Sequence, residues 1–238
     1  MKPILIFLAV LACPFINAQE KGFKNLFNGK NFTGWTQKGG IAKYTIKEGV
    51  IIGTAVNGTP NSFLCTKKRY DDFVLEYEYK CDNRLNSGVQ IRSNAYNKEV
   101  TKTLENGKTK KFPAGRVHGY QVEIDPNKPD RMWSAGIYDE GRRGWLYPGL
   151  RGGNDEESKA AFTKSGQKIY KPNEWNKVRV ECNGDSIKTW LNGVARADFK
   201  DSLTAKGFVG LQVHGIGNNK DLVGAQVQWR NLRLKLLK

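Results

Sequence analysis

The sequence predicts an all-β protein, a two-sheet sandwich or a barrel. Three observations carry this. Short segments rich in β-branched and aromatic residues recur along the chain, mostly bounded by Gly, Asn or Asp; several alternate strictly between polar and apolar; and no segment keeps a helical period for long. Many short strands with regular turn signals make a sandwich or a barrel.

The amino terminus comes first in order. Lys2, the apolar run Ile4 to Ala12 and small residues near Ala18 have the pattern of a secretory signal, and the run is too short to span a bilayer. Residues 1–18 are therefore expected to be a signal peptide, and residues 19–238, from Gln19 onward, one domain of sandwich size. An alternative takes Val10-Leu11-Ala12-Cys13 as a lipoprotein box, with a lipid anchor at Cys13. No later stretch is apolar for long enough to form a transmembrane helix.

The strands follow. Tyr44 to Ile46, Val50 to Ile52, Phe73 to Tyr79, Lys177 to Cys182, Ile187 to Leu191 and Val227 to Leu234 all read as strands, with Asn183-Gly184-Asp185 as a hairpin turn. Three more have an unusual polar face. Gly119 to Asp125 sets Tyr120, Val122 and Ile124 against Gln121, Glu123 and Asp125, because successive strand side chains point to opposite faces. Ser87 to Arg92 sets Val89 and Ile91 against Gly88, Gln90 and Arg92; Phe208 to His214 sets Val209, Leu211 and Val213 against Gly210, Gln212 and His214. An ordinary solvated face looks like Lys177, Arg179 and Glu181, whereas Gln, Arg, Glu, Asp and His converging from three strands make the floor of a site.

Two longer segments interrupt the strands. Residues 96–117 form a basic, Gly-containing loop; residues 139–171 carry Arg142, Arg143, Trp145 and Tyr147, with a helical turn or two expected from Asp155 to Phe162. Trp and Tyr stack on sugar rings, so the second segment is expected to wall the site, with Arg143 and Trp145 facing a ligand. Cys65, Cys81 and Cys182 sit in or beside apolar strand patterns and have no metal-ligand spacing, so buried thiols are expected, with one disulfide among them as the alternative.

The net charge of +16 raises nucleic acid as a partner. The basic residues do not form one block. Lys67, Lys68 and Arg69 make a small cluster, Lys108, Lys110 and Lys111 another, and the rest are scattered. With export also expected, no nucleic-acid partner is predicted, and the charge suits solubility and anionic glycans or envelope surfaces.

Taken in order, Asn28 to Trp35, Asn86-Ser87-Gly88-Val89, Gly119 to Glu123, Gly136-Ile137-Tyr138-Asp139, Asn173-Glu174-Trp175-Asn176, Trp190-Leu191-Asn192-Gly193, Gly210 to Gly215 and Trp229-Arg230-Asn231-Leu232 resemble the motifs of the 3-keto-disaccharide hydrolase domain family. The resemblance covers nearly all of residues 19–238. It implies a concanavalin A-like sandwich (jelly roll) of two curved antiparallel sheets, with the site on the concave sheet. It also implies a bacterial glycan-processing protein, periplasmic, outer-membrane-associated or extracellular, that acts on a carbohydrate substrate.

A carbonyl at C3 of a sugar acidifies the C2 proton, so a base can remove it and expel the C1 substituent. Such chemistry needs a base, a partner for the enolate oxygen and an acid for the leaving oxygen. Glu123 or His214 is the expected base, Arg92 the enolate partner, and Tyr138 or His118 the acid. A divalent cation held by Glu123, Asp125 and His214 is an alternative to Arg92. Gln90, His118, Gln121, Asp125, Trp133, Arg143, Trp145 and Gln212 are expected to bind substrate. One rival is a lectin-like module using Trp133, Tyr138 and Trp145 with the glutamines. Another is a lichenase- or laminarinase-type glycosidase, which needs a third carboxylate after Glu123 and Asp125 where this chain has Asn127 or Lys128. A third is an envelope protein that recognises a protein partner through residues 96–117.

Overall fold

Among the residues that the structure describes, 21–104, 107–125 and 130–237, seventeen strands follow one another with a single α-helix between them. The structure is a computed structural model; the expected signal peptide, Cys13, Gln19, Asn127 and Lys128 lie outside the described residues. In chain order the strands are β1 (Lys24–Asn25), β2 (Trp35–Gly39), β3 (Lys43–Lys47), β4 (Val50–Thr54), β5 (Ser62–Thr66), β6 (Phe73–Cys81), β7 (Ser87–Ala95), β8 (Val100–Thr103), β9 (Thr109–Phe112), β10 (Val117–Ile124), β11 (Ile137–Glu140) and β12 (Gly144–Tyr147). After the helix α1 (Glu156–Ile169) come β13 (Asn176–Asn183), β14 (Ser186–Leu191), β15 (Val194–Lys200), β16 (Phe208–Val213) and β17 (Gln226–Leu236).

These strands pair antiparallel into a sandwich, as the sequence predicts. The front sheet runs β12-β11-β10-β7-β16-β5-β2, and the back sheet β15-β14-β13-β6-β17-β4-β3 with β1 on β17. The apolar halves of the alternating segments meet between the sheets. Val89, Ile91, Tyr120, Val122, Ile124, Leu211 and Val213 from the front pack with Leu75, Tyr77, Tyr79, Val178, Val180, Val227 and Trp229 from the back. Each such side chain taken out of water contributes about 1.5–3 kcal/mol, which is what fixes the register of both sheets. The hairpin between β13 and β14 turns at Gly184, whose φ of 57° suits glycine and not a branched residue.

The two sheets differ on their outer faces. The back sheet carries a surface ion-pair ladder in which Arg179 and Arg233 grip Glu76 at 2.8 and 2.6 Å and Arg230 grips Glu78 at 2.7 Å. The Arg230–Glu78 pair is solvated and of small energetic weight, whereas Glu76 is itself 6% exposed beneath its two part-exposed arginines. On the front sheet the corresponding polar row is itself buried: Gln90, Gln121, Glu123 and Gln212 are each 0–4% exposed.

The longer segments hold more structure than their composition suggests. Residues 96–117 contain the β8–β9 hairpin. The turn or two of helix expected from Asp155 is instead the fourteen-residue α1, capped by the Asp155 carboxylate, which accepts from the Ser158 N–H. Its sequence lacks a clear apolar stripe because only Phe162, Thr163 and Gly166 are buried. Cys65, Cys81 and Cys182 are free buried thiols, and burial pushes the Cys65 and Cys182 thiols up to about 12. The disulfide alternative is therefore not adopted. No helix among the described residues is long and apolar enough to cross a membrane.

Candidate functional site

Four neighbouring strands of the front sheet, β11, β10, β7 and β16, build a cleft of about 580 Å³. Gln121 and Glu123 come from β10, Tyr138 and Glu140 from β11, and Gln212 with His214 from the end of β16. Trp145 on β12 walls one side, and Asn61, Asn86, Arg116 and Arg131 form the rim. The register sets the floor. Gly88 on β7 pairs with Glu123 on one side and with Gln212 on the other, so the two polar side chains stand two strand spacings apart, about 10 Å. A Cβ at Gly88 would lie 2.5 Å from Gln121 Cγ. Glycine there is what lets Gln121 lie across β7 toward Glu123.

A chain of hydrogen bonds holds the central carboxyl. Ser93 Oγ donates to Gln90 Oε1 at 2.7 Å, Gln90 Nε2 to Gln121 Oε1 at 2.5 Å, and Gln121 Nε2 to Glu123 Oε2 at 2.9 Å. Asn86 Nδ2 donates to the other oxygen, Glu123 Oε1, at 2.5 Å. Donors favour the ionised form, yet burial disfavours it more, and the Glu123 carboxyl is pushed up to about 7. It is therefore poised to exchange a proton near neutrality. Asp125 nearby adds to the rise and Arg131 opposes it.

The neighbours complete the chemistry. Tyr138 pairs with Gln121 in the β10–β11 register, which makes it the diagonal neighbour of Glu123, ~7–8 Å away between α-carbons. Burial, Glu140 and Glu123 raise the Tyr138 phenol above its ordinary range, so it stays protonated at neutral pH. His214 Nδ1 lies 2.7 Å from the Gly215 carbonyl oxygen, which can only accept. Nδ1 must carry the hydrogen, and in the neutral ring Nε2 is then a free acceptor. Gln212 is fully buried with neither its amide nitrogen nor its amide oxygen hydrogen-bonded. An unmet buried polar group costs ~1–3 kcal/mol, which a ligand in the cleft would recover.

Of the residues expected at the site, the cleft brings together Glu123, His214, Tyr138, Gln121, Gln212 and Trp145. Gln90 lies beneath them as a support. Asp125 and Trp133 stand beside the cleft: both Asp125 oxygens are gripped by Arg131, at 2.9 and 2.6 Å, and Trp133 packs edge-on against Trp145 with ring centroids 4.6 Å apart. Asp125 is thus turned away from joint ligation with Glu123 and His214, and no group of three His, Cys, Asp or Glu suited to a metal exists among the described residues. The divalent-cation alternative does not fit these residues.

Three expected residues lie elsewhere. Arg92 falls at a bulge, where its φ is 46° and the pairing of β7 with both β10 and β16 shifts register. The bulge breaks the alternation and turns the guanidinium to the sandwich edge, where it donates to the Asp71 and Gly184 carbonyls at 2.6 and 2.7 Å and to Asp72 Oδ1 at 2.7 Å. Arg143 is buried between Asp139 and Asp201 at 2.6 and 2.9 Å. His118 opens into a second cavity, stacked on Tyr96, and burial beside Arg142, Arg116 and Lys102 lowers it to about 4. At neutral pH it is therefore the neutral imidazole and not the imidazolium that the role of acid for the leaving oxygen asks for.

Glu140, Arg116, Arg131 and Asn86 are site residues that the sequence reading missed. Arg116 pairs with Glu140, whose carboxyl burial raises. Glu140 continues the Tyr138 face of β11, a signal that would have been visible had residues 137–140 been read as a strand. Arg131 and Asn86 lie outside any alternating segment.

A family model described as a 3-keto-alpha-glucoside-1,2-lyase-like domain matches residues 22–235. No curated protein matches the chain. Among solved structures, the chain is similar to a Parabacteroides distasonis protein assigned provisionally as a glycosyl hydrolase, at 20% identity and a TM-score of 0.56, over 91% of this chain and 94% of that one. A second such P. distasonis structure has 20% identity and a TM-score of 0.53, over 90% and 99%. A Bacillus subtilis protein of unknown function with a galectin-like fold has 8% identity and a TM-score of 0.57, over 90% and 94%. At these identities the likeness is one of fold, and it agrees with the two-sheet sandwich.

Proposed function

We propose, because the chain belongs to the 3-keto-alpha-glucoside-1,2-lyase-like domain family, that it is an exported enzyme cleaving 3-keto-glucosides by elimination across C1 and C2. The observation that carries this is Glu123: a carboxyl on a cleft floor, oriented by two donors and pushed up to about 7. Family membership supports a carbohydrate-active role and suggests the keto sugar; the step is inferred from the residues. Export rests on the signal-like residues 1–18.

In this scheme the C3 ketone sits above Gly88, between Glu123 and Gln212. The Glu123 carboxylate takes the C2 proton, and the electron pair passes to the C3 oxygen, where the Gln212 amide N–H donates. Collapse of the enolate expels the C1 substituent, whose oxygen takes the Tyr138 proton. Water then adds at C1 and gives its proton to the Tyr138 phenolate, while Glu123 returns a proton to C2. Each group ends as it began, and the net change is hydrolysis. His214 Nε2 accepts a hydrogen bond from a sugar hydroxyl, and Trp145 offers its face to the ring.

A two-carboxylate glycosidase is the second reading, because Glu140 lines the same cleft as Glu123. The register opposes it. Glu140 pairs with Gly119, four residues from Glu123, so the α-carbons stand roughly 14 Å apart, and only side chains extended fully toward each other would bring the carboxyls to the ~5–5.5 Å of retaining enzymes. Incubation with a 3-keto-glucoside and with its unoxidised parent separates the two. Cleavage of the keto sugar alone is expected. Cleavage of the parent would overturn the proposal, and binding of both without turnover would favour a lectin-like module.

A further inference from the structure

A second cavity of about 470 Å³ opens at the Val117 end of β10, lined by neither Glu123 nor Tyr138. The β8–β9 hairpin supplies Lys102, Leu104 and Phe112; the turn after β11 supplies Arg142 and Arg143; and Leu203 and Arg69 close it. The two basic clusters of the sequence flank it: Arg69 ends one, and Lys110 of the other lies over the Phe112 ring.

His118 points to a ligand. It is 95% buried, and neither ring nitrogen has a hydrogen-bond partner. The ring stacks on Tyr96 with centroids 4.3 Å apart and leans on Phe112. The charge around it is one-sided. Arg142 and Arg143 are matched by Asp139 and Asp201, but Arg69 donates only to neutral oxygens, of Asn94 and Lys206, and Lys102 stands exposed on the hairpin. Arg116 and Lys102 add to the positive potential at the imidazole. The remaining wall, from Leu104, Phe112 and Leu203, is apolar.

We propose that this cavity binds an anion-bearing sugar unit, a uronate or a sulfated residue, with the anionic group at Arg69 and Lys102, a hydroxyl on a His118 nitrogen, and the ring against Leu104, Phe112 and Leu203. The apolar wall and the single histidine suit a sugar carrying an anion better than a bare inorganic ion. The sugar half of the inference rests on the carbohydrate reading of the first cleft; the anion half does not.

The test is a nuclear magnetic resonance titration of the His118 ring protons, which a Glu123→Gln background keeps free of turnover. The chain has two histidines, so a His214→Gln variant assigns the signals. Glucuronate, glucose 6-sulfate, glucose and sodium sulfate are the probes. The two anionic sugars are expected to move the His118 signals and raise its titration midpoint. They should bind at least about tenfold more tightly than glucose, with Lys102→Glu on the exposed hairpin weakening them on the order of tenfold, as one lost charge-assisted hydrogen bond would. Preference between the two sugars identifies the anionic group. His118 signals unmoved by either sugar, or binding unchanged in Lys102→Glu, would overturn the inference. Sulfate alone binding as tightly as the sugars would overturn its sugar half. Because the readout needs no catalysis, it stands or falls separately from the elimination chemistry.

Discussion

Replacing Glu123 with Gln is expected to lower turnover of a 3-keto-glucoside by roughly 10²–10⁴-fold, the contribution of a positioned general base, without loss of the fold. The stability effect should depend on pH in a set direction. In the folded protein burial lifts the carboxyl from its ordinary 4.5 to about 7, so the folded state holds the proton more tightly than the unfolded chain does. The wild-type advantage from that proton is complete below about pH 4.5 and is lost as the pH rises through 7. At about 1.36 kcal/mol per pH unit, the ionised buried carboxylate then costs on the order of 3 kcal/mol at pH 8. Gln carries no such cost. The variant should melt no lower than the wild type at pH 8, and its relative advantage should vanish by pH 5. An equal loss of stability at both pH values would mean that Glu123 serves packing.

Replacing Arg92 with Leu is expected to do the reverse. The guanidinium is 1% exposed and spans the sandwich edge from β7 to the turn between β13 and β14, holding two carbonyls and Asp72. Its removal leaves those carbonyls without their donor and should cost about 3 kcal/mol, toward the low end for a broken buried pair because Asp72 can regain water. For a domain of this size that is a fall in Tm of roughly 6–12 °C. Below the transition, kcat and KM should match the wild type. Loss of ~10²–10³-fold in kcat with an unmoved Tm would instead assign Arg92 to the enolate oxygen.

That pair of residues also marks how far the chain could be read unaided. Glu123 was legible because β10 pairs without interruption from Tyr120 to Ile124, so a period of two assigns every side chain to a face. Arg92 was not, because the same period carried across a bulge gives the wrong face, and nothing local in Ser87 to Arg92 announces that two neighbouring strands shift register there. The sandwich emerged from the same alternation, and Val122 of the front sheet and Trp229 of the back sheet belong to one core. Strands of four residues, such as Ile137–Glu140, are too short for any period to show, which hid Glu140. Arg131 reaches the cleft while gripping Asp125, an arrangement with no sequence signature. The helix from Glu156 was underread because its buried face is narrow, although Asp155 with Ser158 is a capping signal at its start.

The central claim is that the C2 proton is removed before the glycosidic bond breaks. Cleavage of a 3-keto-glucoside in deuterated water, with mass and proton spectra of the released keto sugar, addresses it directly once exchange without enzyme and with Glu123→Gln has been subtracted. Elimination and readdition predict up to one deuterium at C2 for each turnover, because in this scheme the leaving group departs and water enters before readdition, and the Glu123 proton exchanges with that water in the interval. Enzymatic cleavage that leaves C2 with its original hydrogen would contradict the account.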